Sequence, residues 1–490
     1  MKAKKGIVSA GHKVTAETAI EILNAGGNAY DAAIGALLAS FVAEPCMSSA
    51  GGGGFLLAHT AKGKDLLFDF FCQTPKSKKP LNTLEFFPVE LNFGDAKETF
   101  HIGAGSIAVP GSVAGIFDIH KNLCTIPLST LAQPAIKLAK EGVPVDDFQH
   151  YDFVLLENII RKDKQVAPSF FPDNSLISKG TPLAFPKMAD YFEYLTKEGP
   201  DAFYQGEIAE KIVNISMEHG GFITKEDLKN YKTHIRTPHL FDYRGYTFLT
   251  NTLPSSGGYF MQYAFQGLSN SKMPSKNHGK EHLGLLYKTM KESSIKWKKE
   301  VLDPLANNNK RGCTTHFSIL DMDGNAASIS STNGEGCGWS VPGTEVMLNN
   351  MLGESALFPN GFHSWTEDQR VSSLMTPTVV LNKEGKAVIV AGSGGAGRIP
   401  AVIMQSIHYM LDFGLPCNEA IDLPRIFLDK QKINIEPGFD VNHTFTIPGC
   451  DLTFFKEKDM YFGGVHSVTL FKGELGGAGD KRRSGILIKN

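Results

Sequence analysis

The sequence predicts an α+β fold in which helices pack in layers on sheet, and three observations predict it. Helical patterning dominates the first part of the 490-residue chain, and short strand-like runs take over from about residue 314. The 50 glycines, more than an average chain carries, gather in clusters between these segments.

Taken in order, Thr15 to Ala43 reads as helix, opened by Thr15-Ala-Glu-Thr and interrupted at Gly26-Gly27-Asn28. The stretch Ala32 to Ala43 is apolar but too short to span a bilayer, so it is expected to be a buried helix. Gly51-Gly-Gly-Gly54 leads into a strand, Phe55 to His59; such a run allows backbones to approach closely. Residues 107–122 suggest a tight turn followed by a helix, and the pattern from about 125 to 235 is helical. Pro254-Ser-Ser-Gly-Gly258 precedes another helix from Tyr259, and Asn307 to Cys313 reads as an exposed loop between blocks. Beyond it, Thr314 to Leu320 and Ala326 to Ser331 flank Asp323-Gly324, a hairpin signal. A second strand pair, Thr378 to Leu381 and Ala387 to Ala391, is followed by a helix from Pro400 to Phe413.

Composition narrows the function classes. Lys+Arg 49 against Asp+Glu 51 leaves a net charge of −2 without blocks of one sign, which argues against a nucleic-acid partner. The seven cysteines are scattered and show no metal-ligand spacing, so neither a zinc site nor a disulfide framework is expected, and no metal or cofactor is implied. The opening Met-Lys-Ala-Lys-Lys is not followed by an apolar run. The expectation is a cytoplasmic location without a membrane association, or a periplasmic or secreted one if a leader has been removed.

Two constellations carry chemistry. A threonine hydroxyl is a poor nucleophile without a base, and an N-terminal threonine supplies one in its own α-amino group, which titrates near neutrality. Cleavage between Cys313 and Thr314 would create that terminus, at the end of a polar loop and the start of a strand. By itself, a Thr-Thr pair there reads equally as two β-branched strand residues. Gly392-Ser-Gly-Gly-Ala-Gly397, between a strand and a helix, matches the dinucleotide fingerprint, and Asp412 follows at the distance that fingerprint requires. Pro400 to Phe413, however, reads as one helix rather than helix plus strand, with Asp412 in its last turn. The alternative use of the loop is to turn backbone N–H groups toward an oxyanion, and a plain structural turn stays open.

Read together, the segments resemble the γ-glutamyltransferase family over nearly the whole chain. Ala25-Gly-Gly-Asn-Ala-Tyr-Asp-Ala-Ala33, Gly51 to Phe55, Val109-Pro-Gly-Ser-Val-Ala-Gly115 and Pro254 to Gly258 are similar to its landmarks. So is Thr314-Thr-His-Phe-Ser with Asp323-Gly-Asn-Ala behind it. Phe462-Gly-Gly-Val-His466 and Gly479-Asp-Lys-Arg-Arg483 resemble the C-terminal signature of one subgroup.

The resemblance implies a four-layer αββα sandwich of the N-terminal nucleophile (Ntn) hydrolase type. It would be cut from one precursor into residues 1–313 and 314–490, the two pieces sharing one sandwich as a heterodimer; a further pairing of heterodimers is left open. Thr314 would be the nucleophile of self-cleavage and of substrate attack, with Thr332 bonded to it, and Gly395 and Ala396 would form the oxyanion hole. Asn333, Glu354, Ser372 and Ser373 fall where the family holds the amino-acid end of its substrate, and Met351 replaces a polar residue there. The substrates implied are glutathione-like γ-glutamyl amides, with water or an amine as acceptor. One departure stands out: in Asp69-Phe70-Phe71-Cys72, Phe71 occupies the place of an arginine that pairs with the glutamyl α-carboxylate. Either another cation, Arg370 or Arg398, takes over, or the acyl group lacks that carboxylate. Acylase chemistry on another amide, or an inactive binding protein on the same scaffold, are the competing expectations.

Overall fold

Gly26-Gly27 separates two helices, α1 (Lys13–Asn24) and α2 (Ala29–Ala43), as the glycine interruption predicts. Asn28 restarts the second through a capping box. Its side chain accepts from the Tyr30 and Asp31 N–H groups, and the Asp31 carboxylate accepts from the Asn28 N–H. Every residue of α2 is buried, so this helix is the centre of a layer rather than its surface. The computed structural model describes residues 5–92, 97–302, 313–354, 357–358, 361–441 and 445–490. The expected loop at Asn307 to Cys313 lies outside the described residues except for Cys313.

Among the described residues, thirteen strands build the two central sheets. From the first part of the chain come β1 (Gly6–Ala10), β2 (Gly53–His59), β3 (Asp65–Phe70), β4 (His234–Arg236), β5 (His239–Tyr243) and β6 (Tyr246–Thr250). After residue 313 follow β7 (Thr315–Asp321), β8 (Ala326–Thr332), β9 (Thr378–Leu381), β10 (Ala387–Gly394), β11 (Gly464–Phe471), β12 (Glu474–Ala478) and β13 (Ile486–Lys489). One sheet runs β13-β1-β7-β8-β2-β3-β4 and the other β12-β11-β10-β9-β6-β5, with every neighbouring pair antiparallel. Both sheets therefore draw on both parts of the chain. The strand texture after residue 314 marked only the middle of each.

Side-chain alternation sorts the layers. In β2, Leu56 and Ala58 face the core beneath α1 and α2, whereas Phe55 and Leu57 face the second core, between the sheets. That second core continues over the other sheet to α3 (Gly257–Ser269), α4 (Lys280–Trp297) and α5 (Ile399–Asp412). The result is helix, sheet, sheet, helix: the αββα sandwich of the Ntn hydrolases. Antiparallel pairing of β10 with both neighbours removes the dinucleotide reading of Gly392–Gly397, because no parallel βαβ unit exists there. Asp412 instead ends α5, its carboxylate hydrogen-bonded to His408 Nδ1 at 2.5 Å. Among the described residues, no helix is long and apolar enough to cross a membrane.

Candidate active site

The β7–β8 hairpin sets the position of the nucleophile through register. Thr315 pairs with Ser331 and Phe317 with Ile329, so Thr314, one residue before β7, stands opposite Thr332 at the end of β8. Alternation then assigns the faces. Phe317 and Ile319 pack toward the helices, so His316 and Ser318 face the other sheet, and Thr314 shares their side. That face is polar but satisfied: His316 bonds the Ser330 and Ser318 hydroxyls at 2.8 and 3.0 Å. Ser318 donates to the His466 carbonyl at 2.9 Å, and Ser328 donates to the Ala391 carbonyl at 3.0 Å. These bonds staple the two sheets directly behind the threonine.

The peptide bond before Thr314 is held at its carbonyl. The Thr332 hydroxyl donates to the Cys313 carbonyl oxygen, and the Gly334 N–H donates to the same hydroxyl at 3.1 Å. The Cys313 thiol is not the reactive group, since burial pushes its ionisation far up.

Across from Thr314, the turn between β10 and α5 folds close against it. A Cβ on Gly394 would lie 2.2 Å from the Thr314 carbonyl oxygen and 2.9 Å from Arg483 Nη1, so glycine alone fits. Gly395 (φ 114°) and Ala396 (φ 46°) both take left-handed backbone conformations, the second strained for a residue with a Cβ.

Thr314, Thr332, Ala396 and Gly397 border a cavity of about 420 Å³ together with Phe71, Glu354 and Ser373. The rest of its wall is apolar: Met351, Leu357, Leu374, Met375 and Ile399. Phe71 is fixed by stacking on Phe55, centroids 5.5 Å apart. Glu354 is the single ionisable side chain among the described residues of this wall, and burial pushes its carboxyl up to about 8, so it is mostly uncharged at neutral pH. Among the described residues no imidazole lines the cavity; His316 is engaged with Ser330 and Ser318, and burial lowers both it and His466, the latter to about 4.

The structure thus gathers Thr314, Thr332, Ala396, Glu354, Ser373 and Phe71 at one cavity. Gly395 adjoins it. Ser372 and Asn333 do not line it; Asn333 is buried, with its Nδ2 3.5 Å from the Leu348 carbonyl and, among the described residues, no hydrogen-bond partner for its Oδ1. Neither substitute cation lines it either. Arg370 donates to the Phe71 and Lys232 carbonyls and to the Tyr231 hydroxyl, and lies 3.3 Å from Asp69. Arg398 stacks on Tyr461, 4.7 Å from the ring centroid. Sequence reasoning missed Leu357, Leu374, Met375 and Ile399. The apolar pair directly after Ser372-Ser373 was the available signal.

The chain matches known proteins over nearly its whole length. The model of the family described as gamma-glutamyltranspeptidase matches residues 15–311 and 294–489. The glutathione hydrolase proenzyme of Escherichia coli (strain K12) is 28% identical, the match covering 98% of this chain and 91% of that protein. The acylase ACY 1 proenzyme of Pseudomonas sp. (strain SE83) is 27% identical over 88% of this chain and 84% of its own. In fold, the chain superposes on the crystal structure of cephalosporin acylase from Bacillus halodurans with a TM-score of 0.83, at 24% identity, covering 100% of this chain and 96% of that one.

Proposed function

This chain belongs to the gamma-glutamyltranspeptidase family and is an Ntn amidohydrolase and acyltransferase; from that premise we propose that it cuts itself between Cys313 and Thr314 and hydrolyses or transfers γ-glutamyl groups. The observation that carries the proposal is a threonine facing a cavity whose single ionisable side chain among the described residues, Glu354, is mostly uncharged at neutral pH, preceded by a carbonyl already hydrogen-bonded by Thr332. In self-cleavage, Thr314 Oγ adds to the Cys313 carbonyl carbon while the Thr332 hydroxyl stabilises the forming oxyanion. The hydroxyl proton passes to the Thr314 nitrogen as the C–N bond breaks, and water then hydrolyses the resulting ester. Residues 1–313 end in a carboxylate, and Thr314 gains a free α-amino group.

That amino group is the missing base. It takes the Thr314 hydroxyl proton as Oγ attacks an amide carbonyl, and the backbone N–H groups of Gly395 and Ala396 receive the oxyanion. The C–N bond breaks, the amine leaves with the proton, and the acyl ester passes to water or to a second amine. Glu354 holds the amino end of a γ-glutamyl group, where an ammonium would draw its carboxyl back to the charged form. The two pieces stay together as a heterodimer, because β1, β7 and β8 belong to one sheet across the cut.

A second reading is favoured by one observation: among the described residues no cation lines the cavity, and most of its wall is apolar. On this reading the acyl group is apolar and lacks the α-carboxylate. Turnover of γ-glutamyl p-nitroanilide against a short fatty acyl p-nitroanilide separates the two. A purified, self-cleaved enzyme that releases no p-nitroaniline from the first compound eliminates the γ-glutamyl reading. A Thr314→Ala chain that hydrolyses either compound at the wild-type rate eliminates both.

A further inference from the structure

The C-terminal signature Gly479-Asp-Lys-Arg-Arg483 takes no part in the chemistry described so far. It forms a short helical turn after β12, and its side chains at Asp480, Arg482 and Arg483 are buried. Two of the three are satisfied in one network. Asp480 accepts from Arg425 at 2.7 Å and from Arg482 at 3.2 Å, and Arg482 also reaches Glu436 at 2.6 Å. Arg483 is not. It is only 5% exposed, its Nε has no hydrogen-bond partner, and its guanidinium makes no ion pair among the described residues. This cation packs against the Gly394–Gly395 turn, beside the cleavage point. A Cβ on Gly394 would touch Arg483 Nη1 on one side and the Thr314 carbonyl oxygen on the other, and a Cβ on Gly395 would lie 3.7 Å from Nη2. Its field reaches Cys313: burial, Asp152 and Glu335 push that thiol up, and Arg483 pulls it the other way. Asp152, in the helix Asp147–Leu155, is a poor partner for Arg483. Its Oδ1 has no hydrogen-bond partner among the described residues, and burial raises its carboxyl to about 7 although Arg483 draws it down.

A buried guanidinium without a partner is costly, because its charge has lost water and gained nothing in return. Self-cleavage supplies what is missing. Hydrolysis of the ester leaves residues 1–313 ending in a carboxylate, one residue from the carbonyl that Arg483 already approaches. We propose that Arg483 receives the Cys313 carboxylate formed by self-cleavage, and thereby keeps the Thr314 amino group free to act as the base. The inference rests on the cleavage proposed above but not on either reading of the acyl group. Its second half follows from electrostatics. The break leaves an amine and a carboxylate side by side, and a carboxylate that pairs with the protonated amine holds the proton on it. An ammonium cannot take the Thr314 hydroxyl proton. A planar guanidinium matches a carboxylate through two parallel N–H bonds and disfavours a second positive charge nearby. The other ionisable groups described around the break supply no cation at neutral pH. Burial keeps His316 and His466 neutral and the Cys46 and Cys313 thiols protonated. Of the carboxyls, Glu44 is engaged by Thr315 and Thr15, Glu335 accepts from Asn350, and Glu354 is mostly uncharged. Arg483 is therefore a positioning residue, acting on the base through the new chain end.

Two measurements test this. In a crystal structure of the self-cleaved wild type, the Cys313 carboxylate is expected within hydrogen-bond distance of the Arg483 Nη atoms. A carboxylate that turns elsewhere and leaves Arg483 unpaired overturns the inference while the cleavage stands. An uncut wild-type chain would instead count against the proposed cleavage. The second measurement is the acid limb of kcat/KM, on whichever amide class the enzyme hydrolyses, which reads the Thr314 amino group of the free enzyme. Activity needs that group unprotonated, so holding its proton more tightly moves the limb to higher pH. Arg483→Gln is expected to move it up by about 1 pH unit or more, the effect of an unscreened opposite charge at close range, with little loss on the alkaline plateau. Arg483→Lys keeps a cation and restores most of the wild-type position. A limb that stays in place in Arg483→Gln overturns the role in freeing the base. A rate lowered equally at every pH also overturns it, and would mean that the cation acts on the oxyanion turn instead. If Arg483→Gln fails to fold or to cleave, or if neither amide class is hydrolysed, the wild-type crystal structure decides alone.

Discussion

The bond from Thr332 to the Cys313 carbonyl gives a perturbation whose effect can be worked through. Thr332→Val keeps the volume and the β-branching that suit the end of β8, so it opens no cavity and removes only a hydroxyl. Two bonds are lost, and they act differently. The Gly334 N–H, now buried without its acceptor, costs about 1–3 kcal/mol, but equally before and during cleavage, so it lowers stability rather than rate. The donor to the Cys313 carbonyl strengthens as that oxygen becomes an oxyanion, and deleting such a donor costs about 2.7–4 kcal/mol in the transition state, or roughly 10²–10³ in rate. Full-length chain made by cell-free synthesis, followed by intact mass over time, reads the conversion into two pieces. The expected outcome is slowing by two to three orders of magnitude in Thr332→Val and near-normal cleavage in Thr332→Ser. Cleavage of Thr332→Val at the wild-type rate would show that the carbonyl contact has no part in the reaction.

Three further outcomes follow from the same geometry. Gly394→Ala should cleave itself and turn over amides at least about 100-fold more slowly, because its Cβ displaces the turn from Thr314; unaltered kcat would refute the close-approach argument. With a substrate lacking an amino group, KM should stay level below pH 8 and rise above it, as the Glu354 carboxyl ionises within an apolar wall; Glu354→Gln should flatten that profile, and a rise that persists in the variant would place its origin elsewhere. Glu44 is buried, accepts from Thr315 and Thr15 at 2.6 and 3.0 Å, and has its carboxyl pushed up to about 7, burial outweighing those two bonds. Its folded-state pKa exceeds the unfolded one, so its contribution is present in full at low pH and lost as pH rises from the usual carboxylate range through 7. Thermal melts should therefore show Glu44→Gln losing less stability than wild type across that window; parallel curves would contradict this.

The parts legible in the sequence were those whose signals are local. Gly26-Gly27-Asn28 contains its own helix stop and cap, and Asp323-Gly324 its own hairpin turn, with Gly324 at φ 97°. In the fold that hairpin's register puts Thr332 opposite Thr314, a residue that the sequence marked only through the family resemblance. The strands β1, β11, β12 and β13 were not legible. In Gly464-Val-His-Ser-Val-Thr the buried residues are partly polar, satisfied by partners remote in sequence, such as the Val390 carbonyl on the neighbouring strand, which accepts from Ser467 Oγ at 2.9 Å. A buried face made polar by distant partners erases the alternation that marks a strand. Arg370 was opaque for a related reason: its partners, the Phe71 and Lys232 carbonyls and the Tyr231 hydroxyl, lie far away in sequence. Only the fold reveals that this guanidinium is already engaged, leaving the acyl cavity without a cation among its described residues.

The claim on which the account depends most is that a backbone break creates the catalytic base. N-terminal sequencing and intact mass of the purified protein, beside its Thr314→Ala variant, test it most directly. The account predicts a fragment beginning Thr-Thr-His-Phe in the wild type and one uncut, inactive chain in the variant. An intact wild-type chain that hydrolyses amides would contradict it.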